Sequence, residues 1–78
     1  TNRVLLGRET GNDIVINDLN ASRQHAQIEF EPQGIWVITD LGSTNGTLVN
    51  GFEVASQPLQ EGDRITIGTT NYVFTYRK

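Results

Sequence analysis

The chain has 78 residues, a formal net charge of −3 and no cysteine. That length carries one domain, residues 1–78, whose core must be well patterned, because so short a chain buries only about 60% of the surface its unfolded form exposes. The acidic balance argues against sequence-blind binding to nucleic acid or direct binding to anionic membranes, while the missing cysteines exclude disulfide staples and thiolate zinc sites and fit a reducing, cytoplasmic setting.

Hydrophobic residues recur at every second position in short runs, the period of a strand. The first run, Arg3 to Leu6, ends at Gly7-Arg8, where a glycine lets the backbone bend and the arginine can leave the sheet. Ile14-Val15-Ile16 is continuously apolar and β-branched, as expected of a strand covered on both faces, and Ile35-Trp36-Val37-Ile38 reads the same way. Between them the turn Asn17-Asp18-Leu19-Asn20-Ala21 leads through Ser22-Arg23-Gln24-His25 into a strand where Ala26, Ile28 and Phe30 alternate with Gln27, Glu29 and Glu31. After the polar loop Gly42-Ser43-Thr44-Asn45-Gly46-Thr47, Asn50-Gly51 between Leu48-Val49 and Phe52-Glu53-Val54 predicts a two-residue hairpin, since a type I′ turn needs positive φ at both central positions. Ile65 and Ile67 alternate with Arg64 and Thr66, and Tyr72, Phe74 and Tyr76 with Val73 and Thr75. Turn chemistry at Gly11-Asn12-Asp13, Pro32-Gln33-Gly34, Glu61-Gly62-Asp63 and Gly68-Thr69-Thr70 separates the runs, no helix of useful length competes, and the spacing is that of an all-β sandwich or barrel.

Taken singly, the polar loops are ordinary. Arg8 reads as a solvated arginine at a strand end, and Asn45-Gly46 as a plain turn. Together the loops offer guanidinium groups, hydroxyls, a carboxamide and glycine-opened backbone, a set suited to holding a phosphorylated side chain without reacting with it. Catalysis would have to pair His25, the single histidine, with Ser22, Ser43 or Ser56. The third loop, however, puts Thr44 where a hydrolase nucleophile elbow needs serine. A nucleotide-binding loop would need Gly-Lys followed by serine or threonine, which the chain lacks, and one histidine without cysteine gives a transition metal almost nothing to use. No enzyme activity, cofactor or metal is expected. His25 is instead expected to tie the Ser22 loop to neighbouring backbone through its ring nitrogens.

In order and spacing, Gly7-Arg8, Ser22-Arg23-x-His25, Leu41 to Thr47 and Val49-Asn50-Gly51 resemble the signature of the forkhead-associated domain, a phosphothreonine-binding β-sandwich. The resemblance spans essentially the whole chain. It implies a two-sheet antiparallel sandwich, of eleven strands in a full domain, with the peptide held by loops at one end. It implies that Arg8, Ser22 and Arg23 contact the phosphate, that Thr44 frames it, and that Asn45 hydrogen-bonds the peptide backbone, with Gly7, His25 and Gly46 as architectural support. The implied partner is a protein or peptide carrying phosphothreonine written by a Ser/Thr kinase, and the implied setting is an intracellular domain of a longer protein. Glu9, Thr10, Asn20 and Ala21 are expected to read the residues flanking the mark. One departure stands out: only six residues precede Gly7, whereas the family usually carries one or two strands there. The leading strands are therefore expected to be absent or reduced, and the open sheet edge would invite a homodimer. The alternative function is a phosphate-independent interaction module using the same loops or that edge.

Overall fold

The computed structural model describes residues 2–76. Its strands are β1 (Arg3–Gly7), β2 (Ile14–Val15), β3 (Ala26–Phe30), β4 (Trp36–Asp40), β5 (Thr47–Val49), β6 (Phe52–Val54), β7 (Ser56–Leu59), β8 (Arg64–Ile67) and β9 (Thr70–Val73), and no helix occurs among the described residues. They form a five-stranded sheet ordered β2-β1-β3-β4-β7 and a four-stranded sheet ordered β6-β5-β8-β9, the all-β two-sheet sandwich that the resemblance implies. Every pairing is antiparallel except β1 with β2. Parallel neighbours usually need a crossover of about a dozen residues or more. Here six suffice, because β2 pairs only with the last two residues of β1, Leu6 with Ile14 and Gly7 with Val15, so the chain has little distance to retrace.

The alternating residues fill the space between the sheets: Leu6, Ala26, Ile28, Ile38, Val49, Ile65 and Ile67 are all buried. Burying each large aliphatic side chain contributes about 1.5–3 kcal/mol. The hairpin forms as expected, with φ of 53° at Asn50 and 87° at Gly51 and Val49 opposite Phe52. Three expectations fail. Ile14 and Val15 are not covered on both faces; they lie exposed on an edge, and only Ile16 is buried. Ile35 is likewise exposed, just outside β4. The alternation through Tyr76 outlasts its strand: β9 ends at Val73 because its partner β8 begins at Arg64, opposite Val73. Phe74 and Tyr76 still pack as an aromatic run against Trp36, with centroids 6.3 Å apart for Trp36 and Phe74 and 5.7 Å for Phe74 and Tyr76.

Register positions the functional loops. Leu6, Ala26 and Asp40 lie opposite one another across β1, β3 and β4, so the segments that follow Leu6, precede Ala26 and follow Asp40 emerge side by side at one end of the sandwich. The opposite end carries Asn2, whose carbonyl accepts from Phe30 N, and Phe74, bonded to Gly62 and Asp63. Among the described residues no strand precedes β1 and none pairs with the outer side of β9. An apolar cleft of about 320 Å³ opens beside β9, lined by Val4, Leu6, Ile28, Trp36, Tyr72 and Phe74 among others.

Candidate functional site

Three loops, residues 8–13, 16–25 and 41–46, meet at that end. The first two are zipped along their backbones, with Arg8 N donating to Ser22 O at 3.0 Å and Glu9 N to Arg23 O at 3.2 Å. Gly7 makes this approach possible, because a Cβ there would run into the Arg23 carbonyl and come within 2.9 Å of Asn12 Nδ2. Arg8 Nε donates to Ala21 O at 3.1 Å. That bond holds the guanidinium in place and, among the described residues, leaves its two terminal nitrogens uncommitted on an exposed side chain.

The third loop is stitched to the second through Thr44 N, which donates to Ser22 Oγ at 3.0 Å, and Asn45 Nδ2, which donates to Asn20 O at 2.7 Å. Since Ser22 Oγ accepts here, its own proton is available to donate elsewhere. Beneath both loops sits His25, with no exposed surface. Its Nδ1 accepts the Ser22 N–H at 3.0 Å, which requires a bare nitrogen there. Nε2 therefore carries the proton and donates to Gly46 O at 2.8 Å. The ring meets the amide of Ser22 and not its hydroxyl, so the two residues do not form a nucleophile and base pair. The backbone of His25 continues the ladder, donating to Leu6 O and accepting from Leu41 N.

Two carboxylates that the sequence leaves unmarked shape the loops. Asp40, at the end of β4, accepts from Gly42 N, Ser43 N, the Ser43 hydroxyl and the Thr47 hydroxyl. Burial pushes its pKa up, but the Ser43 and Thr47 hydroxyls and the two amides together outweigh that and leave it below the ordinary carboxylate value. Asp18 accepts from Asn20 N, Thr69 N and the hydroxyls of Thr69 and Thr70, fastening the second loop to the β8–β9 turn. The Asn20 and Thr69 amides foremost hold its carboxyl well below the usual range.

The structure brings Arg8, Ser22, Arg23, Thr44 and Asn45 to one rim, with Ser22 half-buried and the other four exposed. Gly7, His25 and Gly46 lie among the contacts that join the loops. A depression of about 370 Å³ lined by Arg8, Asn17, Asp18 and Leu19 adjoins them. Two residues play other parts than their sequence setting suggests. The Ser43 hydroxyl, attractive as a ligand group, is spent on Asp40 and on accepting Gly46 N. Ala21, a candidate reader of flanking residues, is buried and offers only its carbonyl to Arg8, whereas Glu9, Thr10 and Asn20 are exposed.

A family model described as FHA domain matches residues 4–68. The ABC transporter ATP-binding/permease protein Rv1747 of Mycobacterium tuberculosis is 46% identical over 71 residues, covering 91% of this chain and 8% of that protein. The oxoglutarate dehydrogenase inhibitor of Corynebacterium efficiens is 43% identical over 68 residues, covering 87% of this chain and 47% of that one. The chain thus spans less than half the length of either relative. A solved structure described as an analysis of phosphothreonine-dependent FHA domain interactions superposes with a TM-score of 0.90 at 30% identity, covering 97% of this chain and 78% of the other.

Proposed function

This chain belongs to the FHA (forkhead-associated) domain family, and on that premise we propose that it is a phosphothreonine-dependent interaction module and not an enzyme. The observation that supports this reading most strongly is the setting of Arg8 beside Ser22: the guanidinium is pinned through Nε to Ala21 O, and the Ser22 hydroxyl has its oxygen occupied by Thr44 N. Both groups are left with donors to spare and, among the described residues, no acceptor hydrogen-bonded to those donors. A phosphothreonine supplies the acceptors, with about −1.5 to −2 charges at neutral pH and three acceptor oxygens. Arg8 and Arg23 give charge-assisted hydrogen bonds, Ser22 gives a neutral one, and the Thr44 hydroxyl closes the side of the phosphate.

Such charged bonds are worth about 1.5–3 kcal/mol each. Two or three, together with the peptide backbone held by the Asn45 carboxamide, give binding near −8 kcal/mol, about micromolar. Affinity at that level lets a mark be read and released. The partner is a protein phosphorylated by a Ser/Thr kinase, and since that transfer draws on ATP, the domain works in the intracellular compartment. The reading calls for no cofactor, no nucleic acid and no direct binding to a membrane. Phosphothreonine dependence is also what the superposed relative is described as having.

The test is an oriented peptide library in phosphothreonine, phosphoserine and unphosphorylated forms. Selection of phosphothreonine peptides is expected; equal retention of the unphosphorylated pool would overturn the reading in favour of a phosphate-independent module. A second reading has its own observation: among the described residues β9 is an edge strand beside the apolar cleft. A strand with unpaired amides next to buried-type side chains recruits another strand, and a second copy of the chain is the partner always present.

A further inference from the structure

We propose that Asn12 is a positioning residue of the phosphate site: its carboxamide locks the two arginine-bearing loops together and so fixes the spacing of Arg8 and Arg23. This rests on the phosphothreonine reading above. Asn12 sits in what looks like an ordinary turn, Gly11-Asn12-Asp13, yet it is only 8% exposed. Its Nδ2 donates to Glu9 O at 2.7 Å and to Arg23 O at 2.7 Å. Both amide protons are spent on carbonyls, one immediately after Arg8 and the other belonging to Arg23 itself.

The orientation of the amide follows from its partners. Turned over, Asn12 would set its oxygen against two carbonyl oxygens, so only the donor-inward arrangement is possible. Its backbone joins the same node, with Asn12 N donating to Glu9 O at 3.2 Å, while Glu9 N donates to Arg23 O at 3.2 Å. Gly7 is part of it too, since a Cβ there would meet both Asn12 Nδ2 and the Arg23 carbonyl. The two arginines are fifteen positions apart (23 − 8) in the chain, and like charges repel. Holding them beside one anion therefore needs a brace that does not depend on the anion, and a buried neutral double donor supplies it.

The decisive substitution is Asn12→Asp, which keeps the shape and replaces both donors with oxygen. Binding of a library-selected phosphothreonine peptide is measured by calorimetry at a temperature where amide spectra show each variant folded. Asn12→Asp is expected to weaken binding at least tenfold, and Asn12→Ser, which keeps one short donor, several-fold. The readout that a merely structural role would not move is coupling to Arg23. In the Arg23→Ala background there is one guanidinium less to position, so Asn12→Asp should then cost less than threefold. Folded Asn12→Asp or Asn12→Ser protein that binds as tightly as the parent overturns the proposal, as does a loss of equal size with and without Arg23. Should Asn12→Asp fail to fold, the Asn12→Ser pair carries the same comparison. Failure of the parent protein itself to prefer the phosphorylated peptide is a different result: it removes the phosphothreonine reading and this inference with it.

Discussion

Replacing His25 with alanine should cost the domain much of its stability and loosen its binding loops at once. The ring is fully buried and joins Ser22 N to Gly46 O. Removing it strands one half-buried donor and one half-buried acceptor, each costing about 1–3 kcal/mol, and leaves a cavity, for a total of about 3–5 kcal/mol. A domain of this size has about 4–12 kcal/mol to lose, so the variant is left near its threshold. At about 4–8 °C per kcal/mol for a small domain, even the lower figure lowers the melting temperature by about 12–24 °C. Scanning calorimetry or dichroism reads that shift directly. Two finer substitutions separate the bonds, because the Asn side chain sets an oxygen where Nδ1 stands and the Gln side chain sets an amide where Nε2 stands. His25→Asn should regain the Ser22 bond and His25→Gln the Gly46 bond, so each melts between alanine and the parent. Alanine protein melting within about 5 °C of the parent, or Asn and Gln variants no better than alanine, would refute the reasoning.

Other outcomes follow from the same geometry. Arg8→Ala should keep the parent's melting temperature and lose at least tenfold in phosphopeptide affinity, about 1.4 kcal/mol or more; a titration showing equal affinity removes Arg8 from the site. Gly7→Ala forces its Cβ into the Arg23 carbonyl and should destabilise by about 1–3 kcal/mol, visible in urea titration, with affinity falling as the first loop is displaced. Asp40 has a folded pKa below its ordinary 3.8, so its contribution is complete above that value and disappears as pH falls through the lower folded one. Asp18 and Asp63 act in the same sense. Denaturation midpoints should therefore fall below about pH 4, less steeply in Asp40→Asn than in the parent, and a parent profile flat down to pH 2 would contradict this. If β9, an edge strand among the described residues, pairs with a second copy of this chain, the chain should self-associate at high concentration, and sedimentation showing monomer throughout would exclude it.

The residues expected at the rim were legible because each occupies a short, locally recognisable turn next to a run of strict alternation. What joins them was not. Asp18 lies 51 residues from Thr69, and Asn12 reaches across to Arg23; in one dimension each is merely a turn-forming side chain. Asp40 looks like the polar end of a strand, although four donors converge on it. β7 was hidden for another reason. Ser56-Gln57-Pro58-Leu59 carries one buried apolar residue, and proline argues against a strand. It is tolerated because β7 closes one edge of its sheet, where the ladder on one side asks nothing of that nitrogen. Conversely, Ile14-Val15 carried a strong apolar signal to an exposed edge, since β-branching favours the extended backbone whether or not anything covers it.

The polarity of the sandwich has a practical side. Asn2 and Phe74 are tethered at the pole farthest from Arg8 and Arg23, so a label, a tether to a sensor surface or a second folded unit attached at the exposed Asn2 would hang clear of the recognition rim. Two such units joined in tandem could each present their rims outward, and a short flexible spacer would let them engage a doubly phosphorylated target together, with the gain set by spacer length and not by any new contact.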